Sequence, residues 1–129
     1  MKATVKWFNA QKGYGFITDV SGKDAFVHYS SLVMDGFKTL HEDDIVDFEL
    51  GTGKNGREQA INVQPILTRK MVENALKERN LYIQTMKDSY GVKKYLLVDD
   101  NNVLQTDENG MSFFEVAEYA SFDIDQLSA

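Results

Sequence analysis

The sequence predicts a mainly β fold, with a small barrel of five short strands over residues 1–66 and a small α+β domain over residues 67–129. Two observations predict this division. Before residue 67, short runs of β-branched and aromatic residues are separated by turn signals, and five strands at this spacing are typical of a small closed barrel. After residue 67, apolar residues recur at helical spacing and are then followed by strand-like runs.

The five predicted strands follow one another in chain order, and each is rich in valine, isoleucine or aromatic residues. They cover residues 2–9, 14–18, 25–29, 45–50 and 59–64. Residues 21–24 predict a turn before the third strand, and the glycine-rich residues 51–56 predict a flexible loop before the fifth. Pro65 is expected to end the fifth strand. Closing these strands into a barrel removes edges that would otherwise pair with other chains.

The second domain begins with a predicted helix. Thr68 is a candidate N-cap, and apolar residues follow it at helical spacing. The apolar stripe allows the helix to continue to Met86. We expect it to stop near Asn80 instead, because residues 81–83 have strand character.

A hairpin and a second helix are predicted to follow. Residues 92–98 form a strand, residues 99–102 a turn, and residues 103–105 the partner strand. Ser112 and Glu115 have the spacing of a capping box, which predicts the start of a helix. Five aromatic residues of this domain are expected to form its own core; they are Tyr90, Tyr95, Phe113, Phe114 and Tyr119.

Composition and charge limit the class of protein. The chain has 129 residues, a net charge of −6 and no cysteine, which excludes disulfides and thiolate metal sites. No apolar run has the length of a signal peptide or a membrane span, so we expect a cytoplasmic protein without a membrane partner. Residues 1–40 carry five lysines against three aspartates, whereas residues 41–50 carry five acidic residues and no lysine or arginine. A basic zone therefore exists within an acidic chain.

Aromatic residues are concentrated near the start of the chain, where residues 1–37 hold seven of its fifteen rings. Because side chains alternate along a strand, Tyr14 and Phe16 share one side of the second strand, and Phe26 and His28 share one side of the third. The small apolar residues between them suit a barrel interior. The rings then face outward beside lysines, and an exposed aromatic cluster usually marks a binding surface. Rings with cations at their edge are what a single-stranded nucleic acid requires.

Four motifs in this region resemble the bacterial cold-shock protein family. They are KWFN (residues 6–9), KGYGFI (12–17), FVHYS (26–30) and GFKTL (36–40), of which the second and third resemble the family's two ribonucleoprotein motifs. The resemblance covers residues 1–66. It implies a five-stranded antiparallel OB-fold barrel that binds single-stranded RNA and DNA, with some preference for pyrimidines, and acts as an RNA chaperone or antiterminator. It leaves residues 67–129 unassigned.

The resemblance also implies the binding residues by matching position. Base stacking is expected from Trp7, Tyr14, Phe16, Phe26, His28, Tyr29 and Phe37. Polar and basic contacts are expected from Lys6, Asn9, Lys12, Asp24 and Lys38. Phe8 also lies within a motif, but the sequence does not settle which side of the strand it occupies.

Three positions depart from the family pattern. Tyr14 and Tyr29 stand where the family mostly has phenylalanine, which keeps a ring and adds a hydroxyl. Glu58 stands where proline is usual, and the added negative charge puts binding contacts from Arg57 and Gln59 in doubt.

Other chemistries have little support in the sequence. No cysteine nucleophile exists, and His28 and His41 have neither metal-ligand spacing nor an acid-base arrangement, so no enzyme, metal or cofactor is expected. Residues 13–15 lack the ending of a phosphate-binding loop and the helix that follows one, and their glycines are expected to permit turning and close approach instead. The acidic run over residues 41–50 is expected to be a solvated face that repels nucleic acid.

A second hypothesis assigns the work to the second domain. Residues 67–129 would bind a protein or self-associate, and the barrel would tether the molecule to RNA. These residues carry eleven acidic and seven basic side chains, so they also have the charge to compete with nucleic acid for the basic zone.

Overall fold

The structure is a computed structural model that describes residues 1–53 and 56–127. Five strands close into a barrel with the neighbour order β1-β2-β3-β5-β4. They are β1 (Lys2–Asn9), β2 (Tyr14–Asp19), β3 (Asp24–His28), β4 (Ile45–Thr52) and β5 (Glu58–Leu67). The pairing of β3 with β5 is parallel, and the other four pairings are antiparallel. The predicted barrel is confirmed.

Small and branched apolar side chains fill the barrel interior. Ile17 of β2 and Val27 of β3 are fully buried, and Ala25 packs against the same core. The residues that alternate with them on these two strands are only partly buried. The alternation inferred from the sequence therefore holds on both strands, and their rings lie on the outer surface.

Halfway along β1, the side chains that face the interior change. Val5 points inward, but the pairing of β1 with β2 shifts between Val5 and Trp7. The shift leaves both Lys6 and Trp7 exposed and packs Phe8 against the core. One extra residue in a strand moves all later side chains to the opposite face, so this bulge places Trp7 on the outer surface. It also settles the side of the strand that Phe8 occupies.

Two strand ends differ from the sequence prediction. β5 continues through Pro65 to Leu67 instead of ending at the proline. Pro65 is paired with Val46 beside an irregularity in the register, a place where a missing N–H is tolerated. β3 ends at His28, and the next three residues form a 3-10 turn (Tyr29–Ser31).

Gly15 allows β1 and β2 to approach closely. A Cβ at this position would lie 2.2 Å from the carbonyl oxygen of Trp7 and 2.7 Å from the Cα of Phe8, and these backbone atoms cannot rotate away. We expect Gly15→Ala to lower the free energy of unfolding by about 2–3 kcal/mol, measured by urea unfolding. Gly22→Ala is the control, because its surroundings are open and only its positive φ of 92° costs energy, about 1 kcal/mol. Equal losses in the two variants would contradict this account of Gly15.

The chain divides into two compact units, one of Met1–Arg69 with Leu127 and the other of Lys70–Gln126. The remaining elements are α1 (Arg69–Lys77), β6 (Tyr82–Lys87), β7 (Lys93–Val98) and α2 (Phe113–Tyr119). β6 and β7 form a two-stranded antiparallel sheet. The predicted order of helix, small sheet and helix is confirmed. None of the helices in the described part of the chain is long and apolar enough to cross a membrane.

The first helix stops where the sequence predicts. α1 ends at Lys77, Asn80 adopts a positive φ of 59°, and the N–H of Leu81 donates to the carbonyl of Leu76 at 3.0 Å. A left-handed residue followed by such a bond is a common helix end. The last helix also begins as predicted, because Ser112 accepts from the N–H of Glu115 at 3.2 Å and the two residues complete a capping box.

The predicted hairpin partner of β7 is only partly confirmed. β7 pairs along its whole length with β6. Residues 103–105 form no strand, but they meet the end of β7 through an antiparallel bridge between Leu104 and Val98, and the N–H of Gln105 donates to the carbonyl of Leu97 at 2.8 Å. Of the strand-like residues 81–83, the last two begin β6, so the strand character noted in the sequence belongs to a full strand.

The aromatic residues of the second unit do not all enter its core. Tyr95 and Phe113 are buried, with ring centroids 5.3 Å apart. Tyr119 is 39% exposed and Tyr90 is 90% exposed. The expectation that all of these rings are core residues is wrong for Tyr90 and Tyr119.

The same five-residue turn occurs three times, after β2, after β6 and after β7. Each turn begins with an aspartate whose Oδ1 accepts from the N–H groups two and four residues later at 2.9–3.0 Å. Each has a left-handed residue at its fourth position, which is Gly22, Gly91 or Asn102. An aspartate that accepts from its own turn fixes the conformation of that turn.

Candidate nucleic-acid interface

Rings from three neighbouring strands meet on the outer surface of the barrel. The register places Trp7 of β1 opposite Phe16 of β2, and Phe16 opposite Phe26 of β3. Tyr14 lies opposite His28 in the adjacent row. We call these five side chains the aromatic face.

Four rings of the aromatic face, those other than His28, contact one another continuously. Phe16 lies at the centre, with its ring centroid 5.5 Å from that of Trp7 and 5.7 Å from that of Phe26. Tyr14 is 5.8 Å from both Trp7 and Phe26. The four rings are tilted or edge-on to one another, the geometry that aromatic pairs prefer. Trp7 is 41% exposed and the other members are half-buried, so π surface remains in contact with solvent.

Tyr29 extends this surface beyond the end of β3. Its ring lies 4.5 Å from that of His28, and its N–H donates to the carbonyl of Gly13 at 2.8 Å. A Cβ on Gly13 would lie 2.7 Å from the Tyr29 ring, so the absence of a side chain there lets the ring pack across the β1–β2 turn. His28 caps the 3-10 turn, because its Nδ1 accepts from the N–H of Ser30. These contacts hold Tyr29 in place.

Phe37 and Lys38 lie in the segment between β3 and β4. Phe37 is 73% exposed, and within the described residues no ring contact joins it to the aromatic face. Lys38 lines a shallow pocket together with Ser30, which follows Tyr29. The structure therefore brings most of the expected stacking residues together and leaves Phe37 outside the contiguous group.

Lys6 and Asp24 form an ion pair beside the aromatic face. The Lys6 Nζ lies 2.8 Å from Asp24 Oδ2, and the hydroxyl of Thr18 donates to Asp24 Oδ1 at 2.7 Å. Partial burial alone would raise the pKa of Asp24, but the hydrogen bonds from Lys6 and Thr18 outweigh it and hold the pKa below its ordinary value of 3.8. Thr18 is a supporting residue that the sequence argument missed.

The depressed pKa of Asp24 predicts a loss of stability in acid. A carboxylate of this kind stabilises the fold fully above its ordinary pKa, and the contribution is lost as the pH falls below 3.8 through the folded-state value. Asp19 and Asp47 share this direction. We expect Asp24→Asn to make the decline in thermal midpoint below pH 4 shallower, and the effect to be small because the pair is exposed. A decline of unchanged slope would contradict this role of Asp24.

Asn9 and Lys12 lie in the turn that joins β1 to β2. Asn9 Oδ1 accepts from the N–H groups of Gln11 and Lys12 at 3.0 and 2.9 Å, so its carbonyl shapes this turn. Lys12 is exposed. Asn9 therefore has a structural role in the turn in addition to its expected contact with a ligand.

Glu58, which stands in place of proline, begins β5. Its carboxylate lies 3.3 Å from the Nζ of Lys23, and both side chains are exposed. The side chain of Gln59 packs closely across Gly53. Gln59 is therefore engaged with its own hairpin.

The acidic run over residues 41–50 is only partly the solvated face that its composition suggested, because its two glutamates are exposed but two of its aspartates are buried. Asp43 and Asp44 are 4% and 5% exposed. Asp43 is bonded to the guanidinium of Arg69, and Asp44 accepts from the backbone N–H groups of Arg69 and His41. Burial raises the pKa of Asp44 more than these hydrogen bonds lower it. Both carboxylates therefore bind Arg69, which belongs to the same unit as the barrel.

Comparison with known proteins assigns the part of the chain that carries this surface to a family. The family model for the 'cold-shock' DNA-binding domain matches residues 1–66. A cold shock-like protein from Thermotoga maritima is 53% identical over 60 residues, covering 46% of this chain and 91% of that protein. Cold shock protein CspC of Bacillus subtilis is 52% identical over 63 residues, covering 49% and 94%. A glycine-rich protein 2 from Nicotiana sylvestris is 51% identical over 63 residues, covering 48% of this chain and 29% of that protein.

Proposed function

The chain belongs to the 'cold-shock' DNA-binding domain family, whose fold binds nucleic acid, and we propose that it holds a short single strand of cytoplasmic RNA or of DNA on the aromatic face and keeps it unpaired. The observation that carries the proposal is the unbroken contact of four rings across three strands. Every base has a π-face, so such a surface binds unpaired bases with little regard to sequence. A duplex hides those faces and is excluded.

The proposed contacts are the twelve residues inferred from the sequence. Stacking comes from Trp7, Tyr14, Phe16, Phe26, His28, Tyr29 and Phe37, and polar contacts come from Lys6, Asn9, Lys12, Asp24 and Lys38. Each stacked base contributes about 1–3 kcal/mol, so three or four stacks support micromolar or tighter binding. Domain boundaries at residues 66 and 67 put all of these residues in the first domain.

Electrostatic attraction is secondary in this proposal, because few lysines border the aromatic face. If about three phosphates are neutralised, the logarithm of the affinity falls with the logarithm of salt concentration at a slope near −2. Relative affinity for T-rich and A-rich strands of equal length tests the proposed preference for pyrimidines.

We propose that the biological consequence is RNA chaperoning or control of transcription or translation without ATP, rather than catalysis. The direct test is a fluorescent RNA hairpin whose stem opens when a single strand is trapped. We expect the full chain to lower the melting temperature of the stem in the absence of nucleotide. An unchanged melting temperature at protein concentrations that saturate a single strand would refute the chaperone role and leave binding standing.

A second candidate assigns the working part to the second unit, with the barrel as an RNA tether. The exposed rings of Tyr90 and Tyr119 favour it, because large exposed side chains are frequent at protein interfaces. Light scattering tests self-association. Removing residues 70–129, which keeps Leu67 and Arg69 with the barrel, tests competition for the basic zone, since unchanged affinity at low salt would eliminate the idea that this acidic segment inhibits binding.

A further inference from the structure

We propose that the turn between β6 and β7 is a second contact site for single-stranded nucleic acid, used by strands longer than the aromatic face can hold. The site consists of residues 87–94, which we call the basic hairpin end. The inference rests on the proposed function of the barrel. It assigns a binding role to a unit for which the family resemblance supplies none.

Positive charge in the second unit is concentrated at the basic hairpin end. Residues 87–94 contain three lysines and one aspartate. The rest of residues 70–126 contains three basic and ten acidic residues. A local cluster of cations on an acidic body attracts a polyanion at that place and repels it elsewhere.

The register of the hairpin sets like charges against each other. Lys87 and Lys93 are directly opposite on the antiparallel ladder, an arrangement that destabilises a sheet. The Lys93 ammonium lies over the ring of Tyr95, 5.3 Å from its centroid. The facing lysines therefore add to the positive charge at the basic hairpin end.

Tyr90 supplies an aromatic ring beside these lysines. Its side chain is 90% exposed, so it contributes little to the core of its own unit. The turn that presents it is well fixed, because Asp88 Oδ1 accepts from the N–H groups of Tyr90 and Val92 at 2.9 Å. Gly91 adopts the positive φ of 79° that the turn requires. A fixed turn lowers the entropy cost of stacking a base on the ring.

The combination of ring and cations favours nucleic acid over an acidic protein segment. An acidic peptide uses the lysines and has no need of an exposed ring, whereas a single strand uses both. The two units belong to one chain, so the second contact of a strand long enough to reach both is intramolecular. A modest second contact is then sufficient to increase the affinity for long strands.

The test compares a short and a long T-rich strand, of about 7 and about 25 nucleotides, because one OB-fold barrel covers about 4–16. Binding of each strand to the full-length protein is followed by fluorescence anisotropy. The test variant is Tyr90→Ala with Lys87→Gln. The matched control is Val103→Ala with Lys77→Gln, which removes an exposed apolar residue from the equivalent turn and an exposed cation from α1.

We expect the test variant to bind the long strand about fivefold to tenfold more weakly, with a salt slope shallower by about one, and to bind the short strand normally. The control should bind both strands within about twofold of the wild type. Tyr90→Phe should restore the contribution of the ring. Unchanged binding of the long strand, or equal losses in test variant and control, would overturn the inference.

Two further outcomes separate this inference from the proposed function. A short strand that fails to bind the wild type refutes the role of the aromatic face, while the long strand still decides whether the basic hairpin end contributes. A polyglutamate peptide that binds the wild type as tightly as the long strand, and loses binding in the test variant, would overturn nucleic acid as the ligand.

Discussion

Replacing Phe16 with alanine is expected to weaken binding of a short single strand by roughly tenfold to a hundredfold, because a base stacked on an aromatic ring contributes about 1–3 kcal/mol. Phe16 lies at the centre of the aromatic face and contacts the rings of both Trp7 and Phe26. Its removal takes away one stacking partner and unseats two others. Isothermal titration with a T-rich strand measures the loss.

Two conservative variants separate stacking from apolar burial at Phe16. Phe16→Leu keeps an apolar side chain of similar volume but has no π-face, and we expect it to lose nearly as much affinity as Phe16→Ala. Phe16→Tyr keeps the ring and should bind as the wild type does. A leucine variant with normal affinity would show that apolar contact, rather than aromatic stacking, binds the nucleic-acid strand.

Replacing Arg69 with alanine is expected to lower the free energy of unfolding by about 3–5 kcal/mol, the usual cost of removing one partner from a buried ion pair. Arg69 is bonded through its guanidinium to Asp43, whose side chain is only 5% exposed. Its backbone N–H also donates to Asp44, a bond that the substitution preserves. The loss therefore reports on the side-chain pair, and urea unfolding measures it.

A rescue variant and a control variant accompany Arg69→Ala. Adding Asp43→Asn to Arg69→Ala removes the buried negative charge and should recover part of the lost stability, and asparagine tolerates the positive φ of 72° at that position. Asp35→Asn neutralises an exposed carboxylate of the same unit and should change stability by less than about 0.5 kcal/mol. A loss of less than about 0.5 kcal/mol in Arg69→Ala itself would mean that the ion pair between Arg69 and Asp43 is effectively solvated.

Local pattern was sufficient to predict most of the barrel. Alternation along β2 and β3 placed Ile17 and Val27 inside and the rings outside, because side chains on a strand alternate without exception unless a bulge intervenes. The bulge in β1 defeated that rule and moved Trp7 outward and Phe8 inward. The bulge appears as two consecutive exposed side chains, those of Lys6 and Trp7, where strict alternation allows only one.

Long-range partners were not predictable from local pattern. Asp43 is one of five acidic residues within positions 41–50, and composition alone places such a run in solvent. Its partner Arg69 is 26 positions away, and only the closed barrel brings the two together. Pro65 was misjudged for a similar reason, since the irregular register that tolerates it depends on Val46 of another strand.

In the second unit, neither helical spacing nor hydrophobicity predicts where every element ends or which side chains are buried. β6 follows directly after α1, so its first residues carry on the apolar stripe of the helix, and its pairing with β7 fixes it as a strand. Tyr90 counts as apolar in any sequence average, yet it stands at a turn tip and is 90% exposed. Whether a ring in a hairpin turn is buried or exposed depends on the geometry of the turn rather than on composition.

The most direct test of the account uses Trp7, the single tryptophan of the chain and a member of the aromatic face. The full-length protein is titrated with a short T-rich single strand while tryptophan emission is recorded, and the same strand in a duplex serves as the control. We predict saturable quenching by the single strand, none by the duplex, and a weaker curve in Phe16→Ala. Emission unchanged by the single strand, or quenched equally by the duplex, would contradict the claim that unpaired bases stack on this face.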